Sequence, residues 1–367
     1  MKKKLRINQF SKPIASVMAV MLGMLVGLIV LMITDPSKGW SGFVTLLAGS
    51  QPHGGLKAVG NILYYATPIM LTGLGVAFSF KAGVFNIGGP GQFIVGAFAA
   101  VYTAITWTFL PDFLRWIVPC ICALLAGAMW AFLPGLLKAY FNVNVVISTI
   151  MMNYVGMYIV NHLTRTLIYD SAKGQSQSVP PTGQLPKVGL DTIFPGSSVH
   201  IGIFIAIFMA LLVHVILNMT VFGYEIKACG MNPDACKYAG VNEKRNTISA
   251  MMISGGIIGL GSALLYLAAT GKHIIVVDKL AAEGFNGIAV ALLAGSSPIG
   301  VIISAIFVGY ITVGGQYIQM FGFVPEIIDI IISVIIYFAA FVFLIQGFLD
   351  KTQLNREARD EEGVKQE

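Results

Sequence analysis

Charge is scarce in this sequence. Only 11% of its 367 residues are Asp, Glu, Lys or Arg, where a soluble domain carries about 25%, so an ordinary water-soluble globule and a disordered chain are both excluded. Polar stretches are scarce too. The longest, at 166–200, 223–246 and 350–367, each fall below the roughly 50 residues of a small domain, which leaves no room for a separate catalytic domain. Histidine is thin and dispersed: His53, His162, His200, His214 and His273 suggest no metal or acid–base cluster. Of four cysteines, Cys120 and Cys122 lie in an apolar run, while Cys229 and Cys236 lie in a short polar loop without a second metal-spaced pair. Neither a disulfide nor a metal site is expected. No G-x-x-x-x-G-K-[ST] string occurs, and Gly271-Lys272 lacks the upstream glycine and the following hydroxyl residue. The chain has no P-loop for ATP, and without H-E-x-x-H or G-x-S-x-G it gives no sign of hydrolase chemistry. No cofactor bound by the chain itself is expected.

What the sequence has is apolar length. Hydrophobic residues make up 56% of it and its mean hydropathy is +0.80. Runs at 14–33, 62–80, 85–107, 116–137, 145–163, 201–222, 248–269, 299–318 and 327–348 each approach the roughly 20 residues a membrane-spanning helix needs. A shorter run at 288–295, between Gly284 and Pro298, completes a tenth crossing with its flanks. The runs are too long and continuous for barrel strands, so the expected fold is all-α and polytopic. The first run exceeds a cleavable signal core and follows a basic start (Lys2, Lys3, Lys4, Arg6, Lys12), so it reads as a retained span.

Ten crossings with the N-terminus in the cytoplasm place residue 81, 138–144, 223–247 and the C-terminus on the inner side. Those regions hold 15 of the 23 Lys and Arg residues, as the positive-inside rule requires; nine crossings would put Lys351, Arg356, Arg359 and Lys365 outside. The net charge of +6 thus reflects topology in a lipid bilayer and not a nucleic-acid face. Residues 1–349 are expected to form one transmembrane domain, 166–200 its main outer loop and 350–367 a charged cytoplasmic tail. Gly73-Leu74-Gly75-x-Ala77 and Gly259-Leu260-Gly261-x-Ala263 echo each other on oppositely directed spans, as an inverted repeat would.

Residues 80–96 read FKAGVFNIGGPGQFIVG. Five glycines and a proline cannot continue one helix, since Gly costs about 1 and Pro about 3 kcal/mol relative to Ala. A broken helix at membrane depth survives only inside protein or beside a watery cavity, which makes Asn86, Gln92 and Phe85 expected pathway residues. A tight turn packed through glycine is the alternative. In NVNVVISTIMMNYV, Asn153 and Tyr154 are further substrate-contact candidates. So are Phe285 and Asn286, which begin the half-length helix of GFNGIAVALLAGSSPIG.

Residues 231–241 read MNPDACKYAGV. Asn232 suits an N-cap, Pro233 the first helical position, Asp234 the positive helix start and Gly240 the stop. So short a helix is not stable alone in water, and its few large apolar residues, Tyr238 and Val241 among them, suit lipid poorly. Docking on a soluble partner is the better expectation. Glu326 and Asp329, one turn apart after Pro325, could carry a proton or cation, but acids in the first turn also stabilise a helix start. His162 and Arg165 read as interfacial.

Taken together, SFKAGVFNIGGPGQFIVGA, NVNVVISTIMMNY, GMNPDACKYAGVNEKRNTISAMMISGGIIGLGSALL and EGFNGIAVALLAGSSPIG resemble the permease subunits of ATP-binding cassette importers, in the branch of branched-chain amino acid, ribose-type sugar and nucleoside permeases. The likeness covers roughly residues 14–349 and is greatest to nucleoside permeases that work with a basic-membrane-protein-type lipoprotein. The resemblance implies a ten-helix fold related to the vitamin B12 importer. It also implies a second, homologous but distinct permease chain around one pathway, two ATPase subunits carrying ATP and Mg, and an external substrate-binding lipoprotein. On it, Asn232, Pro233, Ala235, Tyr238 and Gly240 belong to the coupling helix, about 232–240, that seats in the ATPase. Two departures stand out: many relatives have an acid where this chain has Pro90, and a Glu where it has Val145. The function expected is ATP-driven nucleoside import by a non-catalytic subunit. The alternatives are import of ribose-type sugars or branched-chain amino acids, and proton-coupled transport through Glu326 and Asp329.

Overall fold

The computed structural model describes residues 2–48 and 55–340; His53, the end of the expected span at 327–348 and the tail at 350–367 lie outside the described residues. The chain begins with α1 (Lys2–Thr34) and α2 (Gly39–Ala48), followed by α3 (Gly55–Lys81), α4 (Gly89–Thr106), α5 (Ile117–Phe141) and α6 (Val145–Leu167). The expected outer loop holds a short antiparallel pair, β1 (Tyr169–Asp170) and β2 (Gln175–Ser176), a 3-10 turn at Pro181–Gly183, and α7 (Leu190–Ile193). Then come α8 (Gly202–Met219), α9 (Val221–Met231), α10 (Pro233–Tyr238), α11 (Glu243–Tyr266), α12 (Ala282–Leu293), α13 (Pro298–Ile318) and α14 (Pro325–Ala340).

Among the described residues, α3, α5, α8, α11 and α13 with its 3-10 extension are long and apolar enough to cross a membrane. The chain is a polytopic helical membrane protein. Helices coincide with the apolar runs, with three differences. Residues 85–88 are not helical, so α4 starts later than hydropathy alone predicts. The polar stretch after residue 222 is not a loop but begins inside α9. Thr220 leaves the helical region there (φ −121°, ψ 153°) and its hydroxyl caps Gly223 N at 3.1 Å, turning the chain sharply after α8. The ten-residue α2 was not expected, because its apolar run is half the length of a span.

Two compact units can be described, each by itself. In one, residues 1–49 and 314–367 group together: Gly27 of α1 faces Ile331 of α14, and Gly42 of α2 faces the Phe323 ring. The other comprises residues 50–313. Its core runs along α3 and α11, where Met70, Leu71, Leu74, Phe78, Ile258 and Leu264 are fully buried. In a bilayer helices are held less by the hydrophobic effect than by close packing, and the sequence supplies small residues for it. Ala123, Gly127, Ala131 and Gly135 recur every fourth position on α5, so they share one face. That face meets Met251, Gly255 and Gly259 of α11: Gly127 abuts the Gly255 carbonyl, and Gly259 that of Ala123. No side chain fits between them.

Candidate functional site

The break between α3 and α4 is built from backbone groups that have lost their helical partners. Gly83 turns the chain with φ +71°, and a Cβ there would lie 2.8 Å from the Gly230 carbonyl oxygen, so only glycine fits. Three buried amides then take over the missing hydrogen bonds. Asn86 accepts from Gly88 N at 2.9 Å and donates to Gln92 Oε1 at 3.1 Å and Ser254 Oγ at 2.9 Å. Gln92 Nε2 donates back to Asn86 Oδ1 at 3.2 Å. Asn153, reaching across from α6, accepts from Gly91 N at 2.9 Å and donates to the Ile87 carbonyl at 3.0 Å. Asn86, Gln92, Asn153 and Ser254 are each at most 1% exposed. Pro90, at the start of α4, has no N–H to satisfy.

The start of α12 meets this same place. A Cβ on Gly89 would lie 2.7 Å from the Gly284 carbonyl oxygen, and Gly284 in turn abuts Pro90. Further along α12, Gly287 packs on Thr72 and Val290 on Gly73 of α3. The N-terminal ends of two short helices therefore converge, each reached by a non-helical segment: 82–88 before α4 and 267–281 before α12. The second segment is pinned along its length. Ser176 N donates to the Ile274 carbonyl at 2.9 Å and Ser176 Oγ accepts from Ile274 N at 3.1 Å. Asn161 Nδ2 donates to the Val277 carbonyl at 3.0 Å and to Asp278 Oδ1 at 3.2 Å. Lys272 pairs with Glu283, in the first turn of α12, at 2.5 Å, and its ammonium lies 5.8 Å from the centre of the Tyr266 ring.

The expected pathway residues thus divide. Asn86, Gln92 and Asn153 join in one buried network, whereas Phe85 (44%), Tyr154 (47%) and Phe285 (39%) are exposed on the chain and Asn286 is half-buried. Phe85 stacks on Phe80, ring centres 4.7 Å apart. Ser254, Asn161, Lys272 and Glu283 escaped the sequence reading. Glu283 carried a signal, an acid beside Gly284 in the first turn of α12; Ser254 carried none, lying in a run of small residues. Val145 is 8% exposed and packs with Val84 and Met251, an apolar setting for the position where many relatives carry a charge. Glu326 and Asp329 are both exposed on the first turns of α14.

The third feature is α10. Asn232 Oδ1 accepts from Ala235 N at 3.0 Å, Pro233 opens the helix, and Gly240 closes it with φ +77° and open space around it. Val241 N donates to the Cys236 carbonyl at 3.1 Å, completing the C-terminal cap. Every residue from Asn232 to Gly240 except Cys236 is exposed, Tyr238 at 94%. The cysteine expectation fails here: Cys229 and Cys236 form a disulfide. The stretch does not stay a loop but folds into two helices, and their corner at Asn232 brings the two Cα atoms to 5.1 Å, within bridging range. Among the described residues, no group of three or more His, Cys, Asp or Glu is placed to hold a metal ion.

No solved structure matches the chain. It is 34% identical to the guanosine ABC transporter permease protein NupP of Bacillus subtilis, an alignment covering 94% of this chain and 98% of the relative. It is 30% identical to the nucleoside ABC transporter permease protein NupB of Lactococcus lactis, over 98% of this chain and 99% of the relative. A second permease of that organism, the nucleoside ABC transporter permease protein NupC, is 27% identical over 70% of this chain and 83% of its own length. A family profile described as branched-chain amino acid transport system, permease component, matches residues 58–340. Since that match runs from within α3 to the end of α14, with both converging helix starts and α10, the chain belongs to the branched-chain amino acid transport system permease component family.

Proposed function

We propose that this chain is the membrane-spanning, non-catalytic subunit of an ATP-driven importer of nucleosides. The observation that carries the reading is its similarity, over almost the whole length of both partners, to permeases named for guanosine and for nucleosides. Its partners are then two ATPase subunits, an external substrate-binding lipoprotein and a second permease. Two different nucleoside permeases from one organism resemble the chain, which supports a distinct second chain. ATP and Mg belong to the ATPases.

The finer architecture goes with this role. Ten crossings, both termini in the cytoplasm and an arrangement like that of the vitamin B12 importer make 1–349 one permease domain. The inverted repeat pairs α3, segment 82–88 and α4 with α11, segment 267–281 and α12. Phe85, Tyr154 and Phe285 are the pathway faces, offering rings on which a nucleobase can stack, and Asn286 offers it an amide. The buried Asn86, Gln92 and Asn153 fix the shape of the break. Asn232, Pro233, Ala235, Tyr238 and Gly240 present the coupling surface to the ATPase, because every residue from Asn232 to Gly240 except Cys236 is left exposed by the rest of the chain. ATPase closure then shifts the bundle through the difference in its contacts with the two arrangements.

The test is uptake of radiolabelled guanosine and uridine into vesicles holding the chain with all partners. ATP-dependent uptake is expected; uptake driven by a proton gradient without ATP overturns the reading.

A further inference from the structure

The Cys229–Cys236 bridge ties the last turn of α9 to α10 across the corner at Asn232. Cys236 is the one α10 side chain turned inward, 3% exposed, while Cys229 is 6% exposed. Cys229 also lines a groove with Gly83, Gly230, Pro233, Glu243 and Asn246, whereas Cys236 does not. Asn246 Nδ2 points at Cys229 Sγ from 3.6 Å and can donate to a thiolate formed there. The bridge is also part of a mechanical chain. Gly230, next to Cys229, abuts the backbone of Gly83, which opens the broken segment carrying Phe85 and Asn86. The bridge thus spans the corner at Asn232 between α10 and the helix end that bears on that segment.

On the proposed placement of α10 against the ATPase, on which this inference rests, the bridge faces a compartment where lasting disulfides are uncommon and reversible ones serve as sensors. We propose that Cys229 and Cys236 are a reversible thiol–disulfide site, acted on by low-molecular-weight thiols and disulfides of the glutathione class, that sets how tightly movement of α10 is transmitted to the broken segment. In reduction a thiolate RS⁻ enters the groove and attacks Cys229 Sγ, breaking the bridge, releasing Cys236 as thiolate and leaving a Cys229–S–S–R mixed disulfide. A second RS⁻ attacks the R-side sulfur, forming RSSR and releasing Cys229 thiolate beside Asn246. Two protons from the two RSH complete the pair of thiols, and RSSR reverses every step in oxidation.

The test uses the full transporter in vesicles, poised with reduced or oxidised glutathione, with two readouts. Alkylation after denaturing quench is expected to trap two more thiols of this chain in the reduced sample than in the oxidised one. Guanosine taken up per ATP hydrolysed is expected to fall severalfold on reduction, and the Cys229→Ala/Cys236→Ala double variant is expected to give the low ratio at both poises. An unchanged thiol count overturns the site. A thiol change without a change in uptake ratio, or a double variant that still responds to glutathione, overturns its role in transmission. Absence of ATP-driven uptake at either poise, with the two-thiol change intact, would instead count against the proposed transport function and leave the redox site standing.

Discussion

Asn153 and Tyr154 are neighbours in α6, one buried and one exposed, and substitution separates the structural part of the first from the pathway part proposed for the second. Removing the Asn153 amide strands Gly91 N and the Ile87 carbonyl, two buried groups that cost about 1–3 kcal/mol each when unpaired. Asn153→Ala is therefore expected to lower the melting temperature of the purified protein in detergent by several degrees. Tyr154→Ala, at an exposed position, is expected to leave melting unchanged while altering nucleoside uptake; equal melting of the two variants would deny the amide its structural duty. A second residue, His200, outside the spans, answers to pH. Its Nδ1 accepts from Gly202 N at 3.0 Å, and burial, aided by the positive charge of Lys187 and opposed by the Leu264 carbonyl, lowers its pKa from 6.5 to about 4. The unfolded imidazole takes a proton near 6.5 and the folded one only near 4. The stability it contributes is thus fully present above pH 6.5 and is lost as pH falls toward 4. In His200→Asn, whose side-chain oxygen can still accept from Gly202 N, melting is expected to fall less steeply over that interval than in the wild type.

Elements in this chain are joined by what side chains leave out. α5 and α11 touch backbone to backbone at Gly127, Gly255 and Gly259, so Gly127→Leu must push the helices apart. The cost is expected to exceed the roughly 1–3 kcal/mol of an ordinary overpacked core, because neither backbone can yield without opening α11 against α3. Loss of a monodisperse peak on size exclusion would register it, while Met129→Leu, on the exposed side of α5, is expected to behave as wild type. This also marks how far the sequence could be read. Apolar runs gave the long helices because length and hydropathy are summed over many residues, and Asn232, Pro233 and Gly240 gave α10 because caps are local chemistry. The break was visible as five glycines and a proline within 80–96, but that Asn153 supplies its hydrogen bonds from 62 positions away from Gly91 was not. Nor was the Cys229–Cys236 bridge, which depends on a corner between two helices in a stretch whose polarity reads as loop.

At the scale of the molecule, the convergence at Gly89 and Gly284 makes a definite demand on the transport cycle. One broken segment follows Lys81, an inner end on the proposed topology, and the other follows Tyr266, an outer end. Phe85 lies in the first segment, and Phe285 directly follows Gly284 at the start of α12. A pathway that opened both segments at once would be a leak for every small solute, so an importer must open them in turn. Single cysteines at Phe85 and Phe285, placed in a chain whose free Cys120 and Cys122 are replaced and whose Cys229–Cys236 bridge is kept, give a direct reading with a membrane-impermeant maleimide added to one side of the vesicles. Phe85→Cys is expected to label from the inner side and Phe285→Cys from the outer side. Trapping the ATPases with ATP and without hydrolysis is expected to move the two labelling rates in opposite directions. If both cysteines label from both sides, or if nucleotide leaves the rates unchanged, the two segments are not alternating gates and their meeting at Gly89 and Gly284 is packing alone.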